Sequence, residues 1–89
     1  MARVLVSLKI FPSDVDVSRD ALKKEIEKKL PEYASVYRFE EEPIAFGLVA
    51  LIAHILVPED RTGGIDEVES SLRKIGKISN FQTLMVRRV

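Results

Sequence analysis

Cysteine is absent from this chain of 89 residues, histidine occurs once, and fourteen basic residues are cancelled by fourteen acidic ones. Each shortage excludes a class of function. Without cysteine there is no disulfide, no thiolate metal site and no thiol nucleophile. With His54 alone, neither a histidine cluster for a metal nor a Ser-His-Asp arrangement is expected. Its apolar neighbours suggest a structural imidazole on the less buried face of a sheet. A formal net charge of zero argues against direct nucleic-acid binding, because phosphate neutralisation supplies most of that affinity. The longest apolar run, Ile44 to Val57, is interrupted by Gly47 and His54. It is shorter than the roughly 20 residues a membrane span needs, so no membrane partner is expected. Met-Ala-Arg leads directly into an alternating pattern, without the successive regions of a secretory leader, which points to a cytoplasmic protein.

What is present is enough for one core, and residues 1–89 are expected to form a single domain. From Arg3 to Phe11, Val4, Val6, Leu8 and Ile10 alternate with a mixed second face, the period of a strand, and Pro12 ends it. Ser18 or Asp16 caps a helix that runs to Leu30, with Ala21, Leu22, Ile26 and Leu30 on one stripe, and Pro31 stops it. Val36, Tyr37 and Phe39 mark a short second strand closed by Glu40-Glu41-Glu42-Pro43, as an edge strand is closed. Leu48 to Val57 is apolar at both parities and reads as a central strand. After the Pro58 to Gly64 loop, Ile65, Val68, Leu72 and Ile75 recur at helical spacing until Gly76, a candidate C-cap. Ile78 to Val89 returns to strand.

The order βαββαβ predicts an α+β, ferredoxin-like sandwich: a four-stranded antiparallel sheet with two helices on one face. Strands one and three lie in the centre. The expected core includes Val4, Val6, Leu8, Leu22, Ile26, Val49, Leu51, Val68 and Leu72. Strands one and two run one way and strands three and four the other. The loop holding Phe46 and the basic end Arg87-Arg88-Val89 therefore fall at opposite ends of the sheet, roughly 20 to 30 Å apart. They cannot share one catalytic pocket. If both act, the protein bridges two places on something larger.

Pro43 and Gly47 shape the segment before the third strand, and Phe46 stands between them. Pattern alone leaves Phe46 open between a core aromatic and an exposed anchor. Glu40, Glu41 and Glu42 point alternately to opposite faces, so they do not converge on a metal; they read as a solvated edge or a partner contact. Gly63-Gly64 lacks both a Walker lysine and GxGxxG spacing and reads as a turn with a helix start. No catalytic residue, metal ligand or cofactor-binding residue emerges.

EEPIAFGLVAL at Glu41 to Leu51, with the terminal strand ending Val86-Arg87-Arg88-Val89, resembles the archaeal translation elongation factor 1-beta family. The RVLVSLKIFP strand and the DALKKEIEKKLP helix extend the likeness over essentially the whole chain. That resemblance implies an exchange domain of ferredoxin-like fold that accelerates GDP release from the GTPase elongation factor 1-alpha by binding, with no covalent chemistry and no cofactor. It further implies that the Phe and Gly of the family's Phe-Gly loop are Phe46 and Gly47. The penultimate basic residue, a lysine in the eukaryotic domain that reaches toward the magnesium and phosphate site, falls on Arg88, between Arg87 and Val89. Arginine is wider, planar and permanently charged, so this chain departs from the pattern there.

Two other readings compete. An apolar second face with Leu48, Ala50, Ile52 and Leu56 suits a small-ligand sensing or oligomerisation module, and is compatible with weak self-association. An RNA-binding module shares the element order, but strand one offers Leu5, Ser7 and Lys9 where an aromatic platform is needed.

Overall fold

Alternation along the first strand and unbroken apolarity along the third make these two the centre of the sheet. In the computed structural model, which describes residues 2–61 and 63–89, they are β1 (Arg3–Pro12) and β3 (Val49–Pro58). Met1, where the expectation about a leader begins, and Thr62, within the Pro58 to Gly64 loop, lie outside the described residues. The remaining elements are α1 (Arg19–Lys29), β2 (Ser35–Pro43), α2 (Gly64–Arg73) and β4 (Ile78–Arg88). The described strands form one sheet in the order β2-β3-β1-β4, with all neighbours antiparallel. This is the expected ferredoxin-like βαββαβ arrangement.

One face of β1, carrying Val6, Leu8 and Ile10, and one face of β3, carrying Leu51, Ala53, Ile55 and Val57, are buried together. Leu22 and Ile26 of α1, Val68 and Leu72 of α2, and Ile75 complete that core. Burying each large aliphatic side chain contributes about 1.5–3 kcal/mol relative to leaving it in water. Of the expected core, only Val4 and Val49 are half-buried, because they sit at the strand ends.

Several boundaries differ from expectation. Pro12 stays inside β1, and β2 runs on through Glu40, Glu41, Glu42 and Pro43, because β2 is an edge where a missing donor can face solvent. Of the two candidate caps of α1, Ser18 is the one used: its hydroxyl accepts from the Ala21 N–H at 3.3 Å. The second helix ends at Arg73 rather than at Gly76. Its start explains the glycine pair. Gly63 takes φ 73°, and a Cβ on Gly64 would lie 2.8 Å from a Val57 methyl carbon, so the pair permits a left-handed turn and a close approach to β3.

Both edge strands carry a bulge. In β2 the register passes from Val36 opposite Ile55 to Arg38 opposite His54, leaving Tyr37 unmatched; in β4 it passes from Met85 opposite Ser7 to Thr83 opposite Leu8, leaving Leu84 unmatched. A bulge re-aims the extra side chain and interrupts the ladder. Tyr37 and Leu84 are accordingly exposed.

Candidate functional site

At one end of the sheet, β2 passes to β3 through a tight turn. The Leu48 N–H donates to the Ala45 carbonyl at 2.9 Å, and the Ile44 N–H donates to the Leu48 carbonyl at 3.0 Å. Both central residues have positive φ, Phe46 at 54° and Gly47 at 80°. Mirror-image turns require this, and Asn-Gly or Gly-Gly ordinarily provide it. Phenylalanine does so against its preference: holding a non-glycine residue in this region costs about 1–2 kcal/mol. Burial does not repay that cost, since Phe46 is 96% exposed. Strain of this kind clusters at binding sites and switch regions. Val15 and Ile44 are exposed as well, and a Val15 methyl carbon lies 3.9 Å from where a Gly47 Cβ would stand.

At the other end, Arg87 pairs with Leu5 and Arg88 with Val4, so consecutive arginines project to opposite faces of the sheet. Arg88 is on the helix side and is held by Glu59, with Nε 2.6 Å from Oε1 and Nη2 3.0 Å from Oε2. This is a two-point guanidinium–carboxylate contact. Arg87 is on the open side and, among the described residues, forms no ion pair. The Val89 N–H donates to the Arg3 carbonyl at 2.9 Å, which ties the last residue to β1. An open cavity of about 670 Å³ lies alongside, lined by Ala2, Arg3, Pro58, Glu59 and Asp60. Sequence reasoning missed Glu59. The usable signal was topological: β3 and β4 run the same way beside β1, so the residue following β3 meets the end of β4.

The three glutamates of β2 are tied within the chain. Glu41 faces the helices and meets Arg19 and Lys23, each at 3.2 Å, whereas Glu42 reaches Lys9 at 2.6 Å and Glu40 reaches His54 at 2.6 Å. The Lys9–Glu42 pair passes over Ala50, which is fully buried on the face expected to be open. Leu48, Ile52 and Leu56 are half-buried there. That face is therefore less apolar to solvent than the sequence suggests.

His54 also corrects an exclusion. A single histidine is enough for a serine–histidine–carboxylate series, and one exists: Ser7 Oγ lies 2.8 Å from His54 Nδ1, and His54 Nε2 lies 2.6 Å from Glu40 Oε2. With the proton on Nε2, the ring donates to Glu40 and accepts from the Ser7 hydroxyl. Ser7 is 2% exposed, so its oxygen is closed to a substrate and the series ties β1, β3 and β2 together. The His54 hydrogen bond, then the Arg38 guanidinium, hold the Glu40 carboxyl below its ordinary range. On the helix side, desolvation and then the hydrogen bond to Glu67 at 2.7 Å push the Tyr33 hydroxyl above its ordinary value, while Arg61 opposes this. Among the described residues no group of three or more potential metal ligands converges, and no helix is long and apolar enough to cross a membrane.

The sheet order and the two helices define a small α+β module of ferredoxin-like fold. The same architecture appears, at 10% identity and a TM-score of 0.64, in the C-terminal domain of the MgtC protein from Mycobacterium tuberculosis, over 92% of this chain and 85% of that one. That likeness concerns fold alone. The EF-1 guanine nucleotide exchange domain family matches residues 5–89. Elongation factor 1-beta of Methanothermobacter thermautotrophicus is 43% identical over 100% of this chain and 99% of its own length. The proteins of the same name from Staphylothermus marinus and Sulfolobus acidocaldarius are 38% and 42% identical, over 100% and 97% of this chain and 99% and 96% of theirs. The chain belongs to the EF-1 guanine nucleotide exchange domain family, and its function is guanine-nucleotide exchange in translation elongation.

Proposed function

We propose that residues 1–89 act as a single cytoplasmic exchange domain that promotes GDP release and GTP reloading on elongation factor 1-alpha by gripping it at two separated places. Phe46 and Gly47 dock at one, and Arg88, flanked by Arg87 and Val89, acts at the other. Phe46 supports this most directly: a strained, almost fully exposed aromatic at the tip of a hairpin has no role in the core. Between it and Arg88 runs the length of β3, ten residues or about 30 Å, which suits two domains of one GTPase better than one pocket.

A GTPase holds GDP through phosphate contacts and Mg²⁺, so a protein that disturbs that region while anchored elsewhere loosens both. Bound GDP must then weaken the exchanger to the same degree, and the exchanger favours the empty GTPase until GTP displaces it. The Arg88 guanidinium, held by Glu59 through Nε and Nη2 in the free chain, suits carboxylates or phosphates beside a displaced metal once it exchanges that partner. Nothing in this scheme requires a covalent step, a cofactor, a nucleic acid or a membrane. Both GDP-bound and empty GTPase are partners, and self-association, where it occurs, is weak. The test is release of fluorescent GDP from elongation factor 1-alpha with and without this chain. Acceleration is expected, opposed by added Mg²⁺ if metal displacement contributes. An unchanged release rate contradicts the proposal.

A further inference from the structure

On the open face, away from the helices and from the Phe46 turn, the sheet carries a groove that meets the exchange scheme's basic end only at Arg87 and Val89. Two adjoining cavities of about 330 and 360 Å³ share Leu5, Tyr37 and Arg87. Leu5 forms the buried floor, 8% exposed, and half-buried Leu56 extends it. On one side Tyr37, 66% exposed, is turned out by the β2 bulge; on the other Met85 and Arg87 rise from β4. Around this apolar strip stand Arg3, Arg38 and Arg87. Arg3 and Arg87 form no ion pair among the described residues, and Arg38 reaches only Glu40, at 3.6 Å. In a chain of zero net charge, three guanidinium groups with so little compensation around one groove are a local excess of positive charge.

The geometry points to this groove as a binding site for an extended acidic segment of a partner protein, with one large apolar side chain on Leu5 and Leu56 and carboxylates reaching Arg3, Arg38 and Arg87. An apolar floor with a cationic rim matches that chemistry: the side chain displaces water from the floor, and planar guanidinium groups take carboxylates at two points. A nucleic-acid strand fits less well. Two rings line the groove, Tyr37 and the His54 imidazole, but His54 is half-buried in the strand and tied edge-on between Ser7 and Glu40, and Glu40 stands beside Arg38 where a phosphate chain would pass. The groove shares Arg87 and Val89 with the exchange scheme, but the test omits the GTPase, so failure of this inference and failure of the exchange reading are distinguishable.

The test titrates the isotope-labelled chain with the peptide acetyl-Asp-Glu-Phe-Glu-Asp-amide, without GTPase or nucleotide, and follows backbone amide shifts. Saturable shifts are expected at Leu5, Tyr37, Leu56 and Arg87, weakening as salt is raised. Arg87→Glu is expected to lower the affinity about fivefold, within the range of exposed charge pairs. Tyr37→Ala lowers it as well, and Lys29→Glu, on the helix side, leaves it unchanged. Both groove positions are exposed, so the folded spectrum is retained. No saturation, shifts centred elsewhere, an equal loss with Lys29→Glu, or a uridine oligonucleotide that occupies the groove where the peptide does not would each overturn the proposal.

Discussion

The two ends of the sheet, both proposed as contacts with elongation factor 1-alpha, differ in how far they are occupied within the chain. At the Phe46 end the side chain is apolar, fully presented and held in a left-handed conformation by the Ile44–Leu48 hydrogen-bonded turn, so little is left to reorganise on binding. At the basic end Arg88 is already satisfied: Glu59 occupies the guanidinium at two points, and a partner must offer something better. One end is preordered and exposed, the other occupied by a carboxylate of the same chain. The contrast suggests that affinity resides at the first and responsiveness to the nucleotide site at the second.

The sharpest way to break this contrast is Phe46→Ala. Truncating an exposed aromatic anchor is expected to weaken binding to elongation factor 1-alpha about thirtyfold, or about 2 kcal/mol, by calorimetry or fluorescence titration. Thermal unfolding should hardly change. Phe46→Gly separates strain from contact, for it should lose the same affinity while raising stability by about 1 kcal/mol through relief of the positive φ. If instead Phe46→Ala unfolds early and still binds, the ring is a structural element.

Arg88→Ala comes next. Its expected effect is a fall of about tenfold in the maximal rate of stimulated GDP release, about 1.4 kcal/mol of barrier. Association through Phe46 should persist. Glu59→Gln should act in the opposite direction and more weakly. Removing one partner of an exposed ion pair changes a competing contact by less than about 1 kcal/mol, so exchange should quicken about twofold, with stability almost unaltered. A slower Glu59→Gln protein would show that Glu59 positions Arg88 rather than restrains it.

The smallest effects concern pH. Glu40 is lowered from the ordinary 4.5, so its contribution to stability is present above that value and lost as the pH falls through the lower folded one. Tyr33 is raised from the ordinary 10.0; its contribution is present below that value and lost as the pH rises through the higher folded one. Neither group should move the denaturation midpoint between these windows. Glu40→Gln should flatten the acid limb, and Tyr33→Phe the alkaline limb.

The architecture was legible because each element announced itself by period. Val6, Leu8 and Ile10 alternate, Leu22 and Ile26 lie one helical turn apart, and β3 is apolar on both faces, as a central strand must be. Periodicity could not give the cross-sheet partnerships. His54 looked unpartnered because Ser7 lies 47 positions away and Glu40 lies on another strand, and both arrive only when the register is set. Glu59 was invisible for the same reason, being 29 positions from Arg88. The bulges were hidden too: Tyr37 sits within an ordinary strand pattern, and only the shift of pairing beside it turns the ring toward Leu5 and Leu56. Phe46 stood between, since the Phe-Gly pair signals a turn but not that the phenylalanine itself adopts positive φ.

The most direct test of a two-ended exchanger is the concentration dependence of stimulated GDP release, measured for the unmodified chain, Phe46→Ala and Arg88→Ala on the same elongation factor 1-alpha. The account predicts a split: Phe46→Ala raises the half-saturating concentration and keeps the plateau, whereas Arg88→Ala lowers the plateau and keeps the half-saturating concentration. If both substitutions move the same parameter, or neither moves any, the two ends do not divide docking from nucleotide release.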